Sequence, residues 1–284
     1  MISSLDHITV VVRDLDVAAR DCAVLLGRTP NWSGSDAGAE HVWFQLSNMA
    51  LDLIAPIGPG YIGDHLRTRL SDAGEGIWAL AFATPDVQNM HRILRRRDVK
   101  AAAPQPIRAR NAQSGVEREW LTMILDTAAT NGVTIAMVEQ QVDSVAWSPA
   151  AFSVVADAAV SGLDHVVVTT PQPERAAALY GARLDLEMVL DRTNPDWGAR
   201  LMFFRCGELI VEVAHNLKTG VVAGPDKLWG VSWRTNNIDA MRERLATAGV
   251  DVSEVRPGRK PGTRVFTVRD HNANVPTIVI GDAG

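Results

Sequence analysis

The sequence predicts an α+β fold made of four copies of one βαβββ module, and three observations carry that expectation. The segment LDHITVVVRDLD at 5–16 resembles LDHVVVTTPQPE at 163–174. Separately, GIWALAFATPDVQNMHRIL at 76–94 matches KLWGVSWRTNNIDAMRERL at 227–245 in its order of strand, turn and helix. Each of the four segments passes from an apolar, β-branched run into an apolar stripe at helical spacing, and further strand-like runs follow.

In the first module the helix is expected over Asp16–Leu26, with Val17, Cys22, Leu25 and Leu26 on its apolar side and Gly27 as its stop. Strands are expected near Thr29–Trp32, Glu40–Leu46 and Met49–Ala55. A Gly- and Pro-rich connection, Pro56–Glu75, carries a short helix at Asp64–Ala73 and reads as a lid or as a plain crossover, with His65 and Arg67 its only useful groups. The second module's helix has its stripe at Val87, Met90, Ile93 and Leu94, and its closing strands are Glu117–Leu125 and Val133–Glu139. The run 141–161 lacks either pattern and is expected to link a domain at 1–140 to one at 162–284. Pro173 suits the first position of the third module's helix, ERAAALYGARL, which precedes strands near Met188–Asp191, Arg200–Arg205 and Glu208–Ala214. The fourth helix presents Ile238, Met241, Leu245 and Ala248, with Gly249 as a cap, and Thr263–Arg269 and Val275–Ile280 close the chain. The closing pairs turn through DTAATNG and DHNAN, and VRPGRKPGTR (255–264) reads as a hairpin loop.

Composition narrows the function classes. A chain of 284 residues has room for two domains, and 46% hydrophobic residues against 21% charged is the balance of a packed core. With 28 basic and 33 acidic side chains the formal charge is −5, which argues against a broad nucleic-acid footprint. The basic stretch RILRRRDVK (92–100) lies at a helix end, where cations suit the dipole, and reads as a solvated face. No apolar run approaches the ~20 residues of a membrane helix. The opening MISSLDHITVVVRDLD has no basic region followed by an apolar one, so no signal peptide is expected and the cytoplasm is the expected location. Cys22 and Cys206 lack metal-ligand spacing and are expected to be reduced core residues. No nucleophile elbow, phosphate loop or dinucleotide fingerprint occurs.

The order of elements, the LDHI and LDHV openings and the hairpin closures resemble the vicinal oxygen chelate superfamily, which includes glyoxalase I, extradiol dioxygenases, and bleomycin and fosfomycin resistance proteins. The resemblance spans almost the whole chain. It implies that modules pair into two glyoxalase-like domains whose strands form cupped, open barrels. It also implies one divalent metal (Mn, Fe, Ni, Co or Zn) in a cup, held by a His opening the first strand and a carboxylate on the fourth.

Strand parity tests which residues face such a cup. His7 alternates with the aliphatic Ile8, Val10 and Val12, and Asp52 with Leu51 and Leu53, so both point away from the helices. His165 and Glu212 occupy the same places in the third module. These four are the candidate catalytic residues and metal ligands. The matching positions of modules two and four hold Ala79 and Gly230, and their closing strands contain no carboxylate, so each cup keeps half of the usual set. Three arrangements are open. Modules one and three face each other, within the chain or across a homodimer; or a cup recruits His41, His65, His215 or His271 with Asp270; or the cup works without metal, which is the leading expectation. Ala79, Ala81 and Ala83 favour a roomy first cup, with Trp43, His41, Ala79, His65 and Gly230 as candidate ligand contacts. Trp78 and Trp229 are expected on the helix-facing side as core.

The expected partner is therefore a small molecule, with no nucleic acid or membrane. The function implied is an isomerase- or lyase-type enzyme acting by proton transfer on an oxygenated, aromatic-compatible substrate. The alternative is a binding protein of the resistance kind. An extradiol dioxygenase ranks below both, since it requires two His and a carboxylate around iron.

Overall fold

The computed structural model describes residues 1–140 and 149–283. Two eight-stranded sheets follow one another. The first contains β1 (Ser4–Val11), β2 (Trp32–Asp36), β3 (Ala39–Gln45), β4 (Ala50–Pro56), β5 (Gly76–Ala83), β6 (Gln105–Arg110), β7 (Glu117–Ile124) and β8 (Thr134–Gln140), in the order β2-β3-β4-β1-β5-β8-β7-β6. Helices α1 (Leu15–Leu26), α2 (Tyr61–Ala73) and α3 (Val87–Arg96) belong to it. The second sheet contains β9 (Val160–Thr169), β10 (Glu187–Asn194), β11 (Ala199–Cys206), β12 (Leu209–Asn216), β13 (Lys227–Thr235), β14 (Arg256–Pro257), β15 (Thr263–Val268) and β16 (Thr277–Asp282), in the equivalent order β10-β11-β12-β9-β13-β16-β15-β14. Its helices are α4 (Pro173–Ala177) and α5 (Ile238–Thr247).

The four modules therefore pair first with second and third with fourth, through antiparallel β1–β5 and β9–β13 ladders. Modules one and three do not share a sheet, since His7 and His165 open strands of different sheets. Three of the strand-to-helix turns use the same cap. Asp14, Asp86 and Asn237 each accept a hydrogen bond from the backbone three residues on, which satisfies a first-turn N–H and is worth about 0.5–2 kcal/mol apiece.

Several local expectations are corrected. Val17 is exposed, and Leu15 and Ala18 join Cys22, Leu25 and Leu26 on the buried face of α1. The strand expected at Thr29–Trp32 runs instead over Trp32–Asp36. The third module's helix is one α-turn followed by a π-helical stretch, Ala178–Arg183, in which Leu184 N–H bonds Leu179 O. The edge strands β6 and β14 have little sequence signature, because edge strands tolerate Pro and charge on both faces. Of the expected linker, 141–148 lies outside the described residues. The stretch 149–159 is pinned to the first module through Ala150 N–H to Gln45 O (2.7 Å) and Ser153 N–H to Gly27 O (3.0 Å), and β9 begins at Val160.

The helix-covered faces of both sheets share one continuous core. Ile8, Val10, Leu51 and Leu53 of the first sheet approach Val231, Trp233 and Val275 of the second. Polar contacts reinforce this. The Arg244 guanidinium, on α5, donates to Ala158 O (2.8 Å) and to Val24 O and Leu25 O (2.5 and 3.0 Å), the open carbonyls at the end of α1. The fully buried Asp226 accepts from Asn131 of the first domain (3.2 Å) and from Thr170 and Arg175 of the second (2.6 and 3.1 Å). The opposite, concave faces form two separate cups.

Candidate functional site in two unequal cups

Both cups are organised by a β-bulge. In the β1–β5 ladder Leu5 faces Phe82 and His7 faces Ala81, so Asp6 is an extra residue inserted between two rungs. The β9–β13 ladder repeats this, with Leu163 on Trp233, His165 on Ser232 and Asp164 inserted between. A bulge breaks the strict alternation of side chains. Each Asp thereby joins the following His on the concave side, with Asp6 Oδ1 at 2.6 Å from His7 Nδ1 and Asp164 Oδ2 at 2.8 Å from His165 Nδ1. An ionised carboxylate only accepts, so Nδ1–H is the donor, and in the neutral imidazole the lone pair is on Nε2. These two carboxylates were invisible to parity arguments. The signal that would have found them is the repeated Asp-His dipeptide itself.

Bulges also relocate the tryptophans assigned to the core. Trp78 is inserted between the Thr9–Ala79 and Val10–Ile77 pairs, and it packs with Val11, Ile54, Leu66 and Leu70. Trp229 is inserted between the Leu228–Val168 and Gly230–Val167 pairs and is 55% exposed. Neither joins the main core with Leu80 and Phe82: Trp78 is partly buried against α2, and Trp229 is at the surface.

The fourth-strand acids start from the same register position. Asp52 stands opposite Thr9 and Glu212 opposite Val167, each two residues beyond the His on the neighbouring parallel strand. What surrounds them differs. In the first cup Thr9 donates its hydroxyl to Asp52 Oδ2 (3.3 Å), and His41 Nδ1 lies 3.0 Å from Asp52 Oδ1. Burial alone would lower His41, but the charge and hydrogen bond of Asp52, with Asp36 and Glu40 adding, raise it above the ordinary imidazole range. Asp52 is thus committed to His41 rather than to His7.

In the second cup Val167 replaces the Thr9 hydroxyl, and Leu201 stands where the first cup has His41. Glu212, one methylene longer than Asp52, brings Oε2 to 3.5 Å from His165 Nε2. Burial raises the Glu212 carboxyl despite the lowering influence of His165 and Arg259. Burial also pushes on Asp164, yet the hydrogen bond and charge of His165, with Arg234 and Lys260, hold it below the usual carboxylate range. Two carboxyls flanking one imidazole are therefore driven in opposite directions. Ser232, across the ladder from His165, is fully buried, and its hydroxyl has no hydrogen-bond partner among the described residues.

The remaining candidates separate by location. Trp43 packs at a tilt on His7 (centroids 4.7 Å apart, planes at 53°) and edge-on to Trp32 (6.2 Å), and this cluster reaches Ala50 and Ala109 across the first cup. Ala79 and Ala81 line the same concave face opposite Thr9 and His7. The first cup's edges meet through Ala112 N–H to Ser33 O (2.8 Å), which closes it towards a barrel. His65 is exposed on α2 beside Tyr61, and Arg67 bonds Asp64 and Gly58 O, while Leu66 and Leu70 seat the helix on Val11 and Ile54. His215 is buried and bonded to Thr170 O, on the parity of Val211 and Val213 rather than Glu212. His271 sits near Asp270 and Asp21 of α1, on the helix side of the sheet. Gly230 opens no space, because a Cβ there would stand 2.5 Å from Pro276 O.

The donor set does not fit the metal centre that the resemblance implies. Among the described residues no group of three or more His, Cys, Asp or Glu side chains is placed to hold one ion. The strands facing His7 and His165 contribute Ala79, Ala81, Gly230 and Ser232.

Comparison with solved structures places the architecture. A mutant 4-hydroxymandelate synthase from Streptomyces coelicolor superposes with a TM-score of 0.72 at 13% identity, covering 100% of this chain and 94% of that one. The Mn(II)-bound glyoxalase from Novosphingobium aromaticivorans gives 0.63 at 14% identity, covering 100% and 83%. A xylose isomerase-like TIM barrel/4-hydroxyphenylpyruvate dioxygenase fusion protein gives 0.65 at 14%, covering 100% and 49%. No curated protein matches the chain in sequence. No helix among the described residues is long and apolar enough to cross a membrane. The family model for the glyoxalase/bleomycin resistance protein/dioxygenase superfamily matches residues 6–116 and 164–267, one copy on each sheet. The chain belongs to that superfamily.

Proposed function

We propose that the protein is an enzyme that moves a proton on a small oxygenated substrate, of the isomerase or lyase type, and that the second cup is where it does so. The observation that carries this reading is the Asp164–His165–Glu212 alignment, with 2.8 Å on one side of the imidazole and 3.5 Å on the other. Asp164 fixes the tautomer and stabilises the imidazolium, so Nε2 is the base. It takes the proton from a carbon next to a carbonyl, and the C–H electron pair passes to the carbonyl oxygen as an enolate. Glu212, held protonated more readily than an ordinary carboxyl, gives its proton to the enolate, and the His165 imidazolium then returns a proton to the Glu212 carboxylate 3.5 Å away. No step is routed through a metal, since the donors present do not make a centre.

The test is solvent exchange. Phenylpyruvate, hydroxyacetone and hydroxyacetophenone, incubated with the protein in D2O, are followed by proton NMR for loss of the signal next to the carbonyl. At least one is expected to exchange faster than in buffer, and His165→Asn is expected to reduce that rate by about 10²–10⁴-fold. Exchange at the buffer rate for all three, or an unchanged rate in the variant, rules the reading out.

A second reading, ligand binding without chemistry, is favoured for the first cup by the Trp32–Trp43–His7 aromatic cluster. It predicts that His7→Ala and His165→Ala bind aromatic ligands like wild type and that neither supports exchange. An extradiol dioxygenase gains no support, because His165 is the only His on the concave face of the second cup among the described residues.

A further inference from the structure

We propose that the mouth of the second cup is an anion-recognition subsite, which takes the carboxylate or phosphate group of the molecule that enters it. The inference rests on the proposed role of that cup. Its basis is a clasp of two arginines on one indole. Trp197 lies in the turn between β10 and β11, which Asn194 pins by accepting from Asp196 N–H and Trp197 N–H (2.9 and 3.3 Å). The guanidinium carbon of Arg192, on β10, is 5.0 Å from the Trp197 ring centroid, and that of Arg259, from the turn between β14 and β15, is 4.8 Å away.

The two arginines come from opposite ends of the strand order, so their side chains bridge the mouth of the sheet. In the first cup the equivalent edges are joined by a backbone hydrogen bond between Ala112 and Ser33. The clasp is thus the one of the two closures that side-chain motion opens.

Charge points to what enters. Arg200, Arg205 and Arg264 in the same domain each have a carboxylate partner at 2.6–3.1 Å. Arg192, Arg259 and Lys260 have none within 4.0 Å among the described residues. Two like charges converging on one ring repel, and a bound anion relieves that repulsion while keeping both stacking contacts. A guanidinium lying against an indole leaves its N–H fork free for the planar, bidentate contact that carboxylates and phosphates make. The clasp also faces the chemistry, since the charge of Arg259 reaches Glu212 and that of Lys260 reaches Asp164.

The experiment is calorimetric titration of the full chain with benzoate, phenyl phosphate and the neutral isostere benzamide. At least one anion is expected to bind ten-fold or more tighter than benzamide, and the preference between benzoate and phenyl phosphate identifies the group taken. Arg192→Gln and Arg259→Gln should each weaken anion binding about ten-fold without changing benzamide, and raised salt should act in the same direction. Equal affinity for anions and benzamide, no measurable binding of either anion, or wild-type anion affinity in the double variant overturns the proposal. His165→Asn separates the two inferences. Retained anion preference with no proton exchange by wild type removes the enzyme reading and leaves the subsite, whereas exchange without anion preference does the reverse.

Discussion

Glu212 reaches back along its strand to His165, 3.5 Å away, while Asp52 at the equivalent register position turns to His41 and Thr9 instead. One methylene and two neighbouring substitutions, Thr9 to Val167 and His41 to Leu201, separate the arrangements. A carboxylate takes the polar partners offered nearest to it, and in the second cup the imidazole is the one offered among the described residues.

That contrast gives a stability prediction for Glu212→Gln. Because burial raises this carboxyl, the folded state holds its proton more tightly than the unfolded one. The resulting stability is full below the ordinary carboxyl range and is lost as pH rises through the folded value. The neutral variant should therefore gain on wild type between pH 4 and pH 8, with each kcal/mol read as roughly 2–4 °C in Tm. A pH-independent difference would show that the carboxyl is not raised.

Asp52→Asn should show the complementary signature. His41 is raised through Asp52, so the pair stabilises the fold below the ordinary imidazole value and ceases to as pH rises through the raised one. The variant is expected to lose about 1–3 kcal/mol at pH 5–6 and markedly less at pH 9, measured by urea unfolding. The NMR titration midpoint of His41 should fall in the same variant.

Arg244→Ala removes three contacts to carbonyls of the first domain and its connection. A loss of roughly 2–4 kcal/mol is expected from charge-assisted bonds to otherwise open carbonyls. Calorimetry should show the melting endotherm broaden or split as the domains lose their coupling.

Gly230→Ala places a Cβ 2.5 Å from Pro276 O, a backbone atom with little room to yield. A destabilisation of about 1–3 kcal/mol is expected. Gly58→Ala is the control, since a Cβ there meets nothing within 4 Å, and it should stay within about 0.5 kcal/mol of wild type.

The two cysteines are buried and free, and burial pushes both thiols up to about 12, with Asp21 adding to the effect on Cys22. Neither should react with iodoacetamide in the native protein at pH 8, and both should react in denaturant, as mass spectrometry would report. Labelling of either under native conditions would place that thiol near the surface.

The repeat made the fold legible, because LDHI and LDHV mark the two strands that anchor equivalent sheets. Period-two alternation also sufficed for His7, His165, Asp52 and Glu212, which all lie on concave faces. It failed wherever the period itself breaks. Asp6, Asp164, Trp78 and Trp229 sit at bulges, and one inserted residue shifts a side chain to the face that counting assigns to its neighbour. Partner choice was equally hidden. Nothing in the spacing of His41 and Asp52 told that they would meet, since cross-strand diagonals depend on a register that turns define.

The bulge has one more consequence. A residue with no ladder partner can be exchanged without moving the rungs on either side of it. Acidity beside each imidazole is thereby uncoupled from the folding of the strand that carries it. A duplicated module gains or sheds a carboxylate there by one substitution, with the scaffold left in step. Such a joint lets a repeated fold diversify its chemistry one copy at a time.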